Sequence, residues 1–102
     1  MLQDEALELA RKLRQTDLGE DTLARFLSEI EGRIAIELHG ITDWEDNGLL
    51  SVPFPYDRVY WLHLIAMVDF CEGNLELYEA SHKEFCRAFE DYAKFCQQHR
   101  SR

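Results

Sequence analysis

At 102 residues the chain is long enough for one modest hydrophobic core, so we expect a single domain over residues 1–102. The net charge of −9, from 20 acidic and 11 basic residues, argues against a protein that wraps nucleic acid, because phosphate binding needs a basic stripe. It leaves open a passive surface past which DNA slides, although an acidic surface more often serves only to keep a protein in solution. The first fifteen residues are rich in charge and no segment approaches about 20 uninterrupted apolar residues, so we expect no signal peptide, no membrane span and a cytoplasmic location.

The N-terminal region is typical of an amphipathic helix from about Gln3 to Arg14. Its apolar residues recur at spacings of three and four, while acidic residues come early and basic residues late, an order that suits the helix dipole. Glu8 and Lys12 are one turn apart and can form an ion pair. The pattern therefore predicts a helix with one apolar face.

A second helix is predicted after a short linker, with Asp21 or Thr22 as its N-cap and its end near Leu38. Gly32 lies inside this helix at a cost of about 1 kcal/mol relative to Ala, so we expect another segment of backbone to come close to it. The expected buried side consists of Leu23, Phe26, Leu27, Ile30, Ile34 and Leu38.

An extended segment containing two prolines leads into the third helix. Gly40 is expected to end the second helix, and an acidic loop follows. Pro53 and Pro55 favour extended backbone in the residues before them, and Pro55 suits the first turn of a helix because its missing N–H needs no partner there. We therefore expect the third helix to begin at about Pro55.

The third helix is the most apolar part of the chain. Between Val59 and Phe70 only His63 and Asp69 interrupt the apolar run. No single apolar stripe can be drawn, so nearly every face of this helix must be covered by other protein. The chain therefore needs several amphipathic helices, or other subunits, around it.

A fourth helix is predicted to run from Asn74, as its N-cap, to about Gln98, after Gly73 closes the third helix in a left-handed conformation. Its apolar side contains Tyr78, Phe85, Ala88, Phe89, Tyr92 and Phe95. Two pairs are spaced for exposed ion pairs, Glu79 with Lys83 and Glu90 with Lys94. The sequence therefore predicts an all-α fold, a compact bundle of four main helices with an extended proline-containing loop before the third.

The acidic loop at residues 43–48, DWEDNG, begins like a calcium-binding EF-hand loop. Its twelfth position is Phe54 where a bidentate Glu is required, so we expect a solvated turn and no calcium. Trp44 has two interpretations that the sequence leaves open. In the first it is an exposed docking residue beside Leu49, Leu50 and Phe54, since large aromatic side chains dominate interface energetics. In the second it folds back over the core as a lid.

No pattern typical of an active site or a metal centre is found. The pairs His82 with Cys86 and Cys96 with His99 are spaced to share a ligand, but no second pair completes a tetrahedral site. The three cysteines, the third of which is Cys71, are interpreted as small hydrophobic residues in a reducing compartment. We therefore expect no metal and no cofactor.

The ionisable residues of the third helix are the remaining candidates for a catalytic role. His63 is expected to be a hydrogen-bonded core or interface residue, because no nucleophile or carboxylate is spaced to work with it. Asp69 and Glu72, near the end of this helix, are the best candidates for a perturbed acid, with Arg33 or Arg87 as the expected structural partner. We expect a protein that is not an enzyme.

Three motifs give the chain a family resemblance: LSEIEGRI at residues 27–34, VPFPYD at 52–57 and AMVDFCEGN at 66–74. Their order resembles that of small proteins encoded in prophages of Firmicutes, which are similar to the head-to-tail connector, or head-completion adaptor, proteins of long-tailed phages. Phe54 departs from the family pattern, which has a small residue at that position more often.

The resemblance implies an all-α subunit that joins about a dozen copies in a ring beneath the portal, with different surfaces meeting at each contact. Such a ring extends the DNA channel and contacts the portal protein and the next neck protein. The location implied is the host cytoplasm during assembly and then the virion neck. For the basic run at residues 97–102 the resemblance implies a tail that docks on the portal. The alternative interpretation is an ordinary helix end, whose cations interact favourably with the helix dipole. The expected interaction residues are Trp44, Leu49, Leu50, Phe54, Arg100 and Arg102.

Two other classes of protein fit the sequence. One is a small cytoplasmic interaction or regulatory module that binds a single partner through the region from Trp44 to Phe54 and forms no ring. The other is a helical-bundle enzyme or ligand-binding protein with His63 and Asp69 facing a pocket, which requires a sizeable cavity.

Overall fold

The computed structural model describes the backbone of residues 1–100 and the side chains of residues 1–99. Within that range the chain forms four helices and no strand, which confirms the predicted all-α fold. They are α1 (Gln3–Leu13), α2 (Glu20–Glu37), α3 (Arg58–Cys71) and α4 (Leu75–Arg100). Outside the helices, Leu2 and Leu49 pair through an isolated antiparallel bridge, which ties the start of α1 to the loop before α3.

The apolar helix α3 lies at the centre of the fold. It packs against α1, α2 and α4, whereas the backbones of α1 and α2 do not come close to that of α4. Between α2 and α4 the guanidinium group of Arg33 lies over the ring of Phe89, 4.4 Å from its centroid. This arrangement meets the need for cover on nearly every face, because seven residues of α3 are buried. The exposed residues of α3 lie at its two ends: Arg58 at its start, and Phe70, which is 55% exposed, and Cys71 at its end.

The core contains side chains from all four helices and from the loop before α3. The predicted buried side of α2 is confirmed, since Leu23, Leu27, Ile30 and Ile34 are buried and the other two expected residues pack against them. In α4 the buried side is formed by Ser81, Phe85, Ala88 and Tyr92, with Phe89 and Phe95 partly buried beside them. Val52, from the extended segment, is also buried.

The boundary between α3 and α4 follows the sequence prediction. Gly73 has a φ of 75°, the left-handed conformation that glycine adopts without strain. The Oδ1 atom of Asn74 accepts a hydrogen bond from the backbone N–H of Leu77 at 3.2 Å and so caps α4. A tight turn therefore brings α4 back along α3.

The starts of α2 and α3 differ from the prediction. Gly19 is the N-cap residue of α2, and Asp21 and Thr22 lie in its first turn and do not cap it. Before α3, the N–H of Tyr56 donates to the carbonyl of Pro53 at 2.8 Å, which closes a turn outside the helix. Pro55 therefore belongs to this turn, and α3 begins three residues later than the prolines predicted.

Asp69 joins α3 to α4 and to the residue that follows α1. Its carboxylate accepts two hydrogen bonds from Arg14, which follows α1, and one from Ser81 of α4. The predicted partners of Asp69 were wrong, because Arg33 pairs with Glu37 of its own helix and Arg87 lies nearest to Glu84.

The surface ion pairs were predicted only in part. Glu8 and Lys12 form the expected pair at 3.6 Å, with both side chains largely exposed. The pairs predicted within α4, Glu79 with Lys83 and Glu90 with Lys94, are not among the ion pairs formed by the described residues.

Candidate protein-interaction surface

The loop that follows α2 folds back over that helix and leaves a cleft of about 330 Å³. We call it the Trp44 cleft; its main lining residues are Glu31, His39, Ile41, Trp44, Leu49 and Leu50. The indole of Trp44 lies over Gly32, where an added Cβ would come within 2.9 Å of the Cζ3 atom. The close approach expected at Gly32 therefore exists, but a side chain makes it and not another backbone segment.

A buried hydrogen-bond network fixes the wall of the cleft opposite α2. The Tyr60 hydroxyl donates to Glu31 Oε1 at 2.5 Å and accepts from the N–H of Val52 at 2.8 Å. Glu31 Oε2 accepts from the N–H of Ser51 at 3.1 Å. Burial raises the pKa of Tyr60 well above its usual value, and the hydrogen bond to Glu31 raises it further, so the hydroxyl keeps its proton. The network holds residues 51 and 52 against α2 and α3.

Asp46 gives the acidic loop its shape. Its carboxylate accepts hydrogen bonds from the Ser28 hydroxyl at 2.6 Å and from the N–H of Gly48 at 2.9 Å. These two bonds lower the pKa of Asp46, the Ser28 bond having the larger effect. The Asn47 side chain accepts from the N–H of Leu49 at 3.0 Å. The loop is thus tied to α2 and turns so that Leu49 faces outwards.

The structure brings three of the predicted interaction residues together. Trp44 and Leu50 are half-buried and Leu49 is 62% exposed, and all three line the Trp44 cleft. Trp44 therefore folds back onto α2, as in the lid interpretation, and still forms one wall of an open cleft. Phe54 is 86% exposed on the turn before α3 and does not line the cleft. The Arg100 side chain and Arg102 lie outside the described residues.

His63 and Asp69 lie in different surroundings. The ring of His63 packs against Phe85 at a centroid distance of 5.2 Å, and its Nε2 atom is buried without a hydrogen-bond partner. Burial lowers the pKa of His63 to about 4, and the charges of Arg33 and His82 lower it further, so the ring is neutral at pH 7. Asp69 is 2% exposed and is held by Arg14 and Ser81. This arrangement gives the two residues no shared pocket.

The two His and Cys pairs of α4 behave differently from each other. His82 Nε2 and Cys86 Sγ are 3.5 Å apart, so this pair is in contact. His99 bonds instead through Nδ1 to the carbonyl of Phe95 at 2.9 Å. The described side chains contain no group of three His, Cys, Asp or Glu residues placed to hold a metal ion.

A second exposed apolar surface, which the sequence analysis missed, lies at the turn between α3 and α4. We call it the α3–α4 end; its exposed residues are Phe70, Leu75 and Leu77. The ring of Phe70 meets that of Tyr78 edge to face at 5.4 Å. The signal was present in the sequence, because Leu75 and Leu77 flank the expected apolar side of α4 without belonging to it. This surface is separated from the Trp44 cleft by the length of α3.

The chain matches no protein-family profile, no curated protein and no solved structure in the comparisons with known proteins. Within residues 1–100, no helix is both long enough and apolar enough to cross a membrane.

Proposed function

We propose that the protein is a structural subunit of a phage or prophage virion, a head-to-tail connector that assembles as a ring under the portal and extends the DNA channel. The observation that carries the proposal is where the resembling motifs lie. Ser28, Glu31 and Gly32 come from the first motif, and Val52 comes from the second. All four residues help to build the Trp44 cleft or the loop beside it.

The third motif supports the proposal in a different way. Asp69, Gly73 and Asn74 all belong to it, and they fix how α3 meets α1 and α4. Each of the three motifs that resemble the connector family thus contributes residues that shape this fold.

The distribution of exposed apolar residues suits a ring. The Trp44 cleft and the α3–α4 end are two different surfaces at two different places on the molecule. A contact between unlike surfaces can repeat around a closed ring, whereas one self-complementary surface stops at a dimer. The net charge of −9 suits a channel wall that repels the DNA backbone and so prevents sticking.

The genes on either side of this reading frame test the proposal. Portal, protease and major capsid genes before it, with neck and tail genes after it, are expected for a connector and identify its partners. A solitary gene, or one paired with a regulator, contradicts the proposal and favours the small interaction module, which would use the same cleft to bind one partner. A stable dimer that never grows larger would point the same way.

A further inference from the structure

The Trp44 cleft has the chemistry of a site for basic side chains. Its base holds the Glu31 carboxylate, which is 4% exposed and has no Lys or Arg partner among the ion pairs of the described residues. One wall is the indole of Trp44, whose face can attract a cation. Asp43 and Glu45, both exposed, lie beside Trp44 on the loop. Residues 34–57 contain five acidic residues and no Lys or Arg.

The complementary segment is the C-terminal part of the chain. Residues 97–102 contain two Arg residues and no acidic residue. The side chains of residues 97–99 are exposed, so the last described turn of α4 stands clear of the core. No ion pair of the described residues joins residues 92–99 to residues 34–57. Within one molecule α4 meets that region earlier, where the Tyr92 hydroxyl lies 2.6 Å from His39 Nε2 and the Tyr92 ring packs on Tyr56, and residues 97–102 follow this contact.

We infer that the Trp44 cleft of one copy binds the basic C-terminal segment, residues 97–102, of a second copy. An arginine side chain in the cleft would meet the Glu31 carboxylate and the face of Trp44, while the acidic loop attracts the rest of the segment. The inference rests on the proposed function, because it names the contact that joins neighbouring subunits. The two surfaces are different, so the contact is heterologous and can close a ring.

The distribution of charge favours this contact over one between two like surfaces. Residues 1–74 contain 15 acidic and 6 basic residues, a net charge of −9, whereas residues 75–102 contain five of each. Two copies that meet through their first three helices repel each other, and a copy that meets its neighbour through the end of α4 does not.

Two variants that remove charge without reversing it test the contact. The cleft variant is Asp43→Asn with Glu45→Gln, and the tail variant is Arg100→Gln with Arg102→Gln. Asp46 is left unchanged because it holds the loop through Ser28 and Gly48. In sedimentation velocity at low salt, each variant alone should self-associate about tenfold or more weakly than the wild-type chain. Both should melt at the wild-type temperature.

An equimolar mixture of the two variants gives the sharper result. The tail variant keeps an intact cleft and the cleft variant keeps an intact tail, so one productive contact remains between them. We expect a one-to-one dimer that does not grow, which only a heterologous contact between these two surfaces produces. The control is Glu20→Gln with Glu84→Gln, which makes the same change in net charge as the cleft variant at two exposed acids outside the Trp44 cleft and the α3–α4 end, and should leave association unchanged.

Several results would overturn the inference. Wild-type rings that are unaffected by the cleft and tail variants place the subunit contact elsewhere and leave the proposed function standing. Equal weakening in the Glu20 and Glu84 control shows a general effect of charge. A wild-type chain that stays monomeric at its highest soluble concentration refutes the contact between copies, and a tail variant that loses only portal binding assigns the segment to the portal. The proposed function fails separately, on the arrangement of neighbouring genes.

Discussion

Asp69 gives the sharpest stability prediction, because its carboxylate joins three parts of the fold. Arg14 donates from Nε to Oδ1 at 2.7 Å and from Nη2 to Oδ2 at 3.1 Å, and the Ser81 hydroxyl donates to Oδ2 at 2.8 Å. Asp69→Asn keeps the shape of the side chain but removes its charge. It also replaces one acceptor oxygen with an NH₂ group that faces donors. The substitution therefore breaks the junction without creating a cavity.

The expected loss follows from how deeply the pair is buried. Removing one partner of a buried ion pair costs about 3–5 kcal/mol. The Arg14 side chain is 33% exposed, so water can rehydrate part of its guanidinium group. We therefore expect Asp69→Asn to lower the free energy of unfolding by about 2–3 kcal/mol. In a domain of this size that loss lowers Tm by roughly 10–20 °C.

Thermal unfolding followed by circular dichroism, with urea titration at 25 °C, measures this loss. The control is Asp91→Asn, which removes a carboxylate from the Arg58 pair at 2.9 Å, where both side chains are about half exposed. An exposed pair of this kind contributes about 0–1 kcal/mol, so Tm should change by only a few degrees. If Asp69→Asn melts no lower than Asp91→Asn, the central role given to Asp69 is wrong.

Three further predictions test the core and the cleft. Tyr60→Phe should lower the free energy of unfolding in urea by about 2–4 kcal/mol, because the Val52 N–H and Glu31 lose their hydrogen-bond partner. The control Tyr78→Phe, whose ring lies on the α3–α4 end, should lower it by less than about 0.5 kcal/mol. Equal losses would refute the network. His63 has a pKa near 4 in the folded chain, below its usual 6.5, so protonation favours unfolding. The free energy of unfolding therefore has its full value with respect to this group above about pH 6.5, and it falls by up to about 3 kcal/mol as the pH falls towards 4. The slope of stability against pH between those values should flatten in His63→Phe, and an unchanged slope would contradict the assignment. Trp44→Ala should keep the helical content and the cooperative melting transition but weaken assembly, and unchanged association in sedimentation velocity would remove Trp44 from the interface.

The number and order of the helices could be predicted because they depend on local patterns. Gly73 and Asn74 mark the boundary between α3 and α4 through backbone conformation and capping, which neighbouring residues determine. The apolar run of α3 likewise predicted a central helix, because a helix without a polar face must be covered on all sides.

The residues that were predicted wrongly depend on contacts between distant segments. Arg14 reaches Asp69 across 55 positions, and spacing along the chain carries no sign of that pairing. Pro55 fits either a turn or a first helical turn, and the hydrogen bond from Tyr56 to Pro53 decides between them. Glu31 looked like an ordinary polar residue of α2, since its role depends on a tyrosine 29 positions away.

The Trp44 cleft was predicted in its residues but not in its form. The sequence indicated that Trp44, Leu49 and Leu50 belong together, because they are close along the chain. It did not indicate that Trp44 would pack on Gly32, although a glycine inside a helix suggested a close approach. A contact of this kind, between an aromatic side chain of a loop and a glycine of a helix, can be identified only once the position of the loop on the helix is known.

The proposed function requires the reading frame to lie in a prophage, and deletion of the frame from an inducible prophage tests the central claim most directly. Electron microscopy of the induced lysate should then show DNA-filled heads and separate tails that do not join, and supplying the wild-type chain from a plasmid should restore whole particles. Complete tailed particles in normal yield without the protein would contradict the connector function.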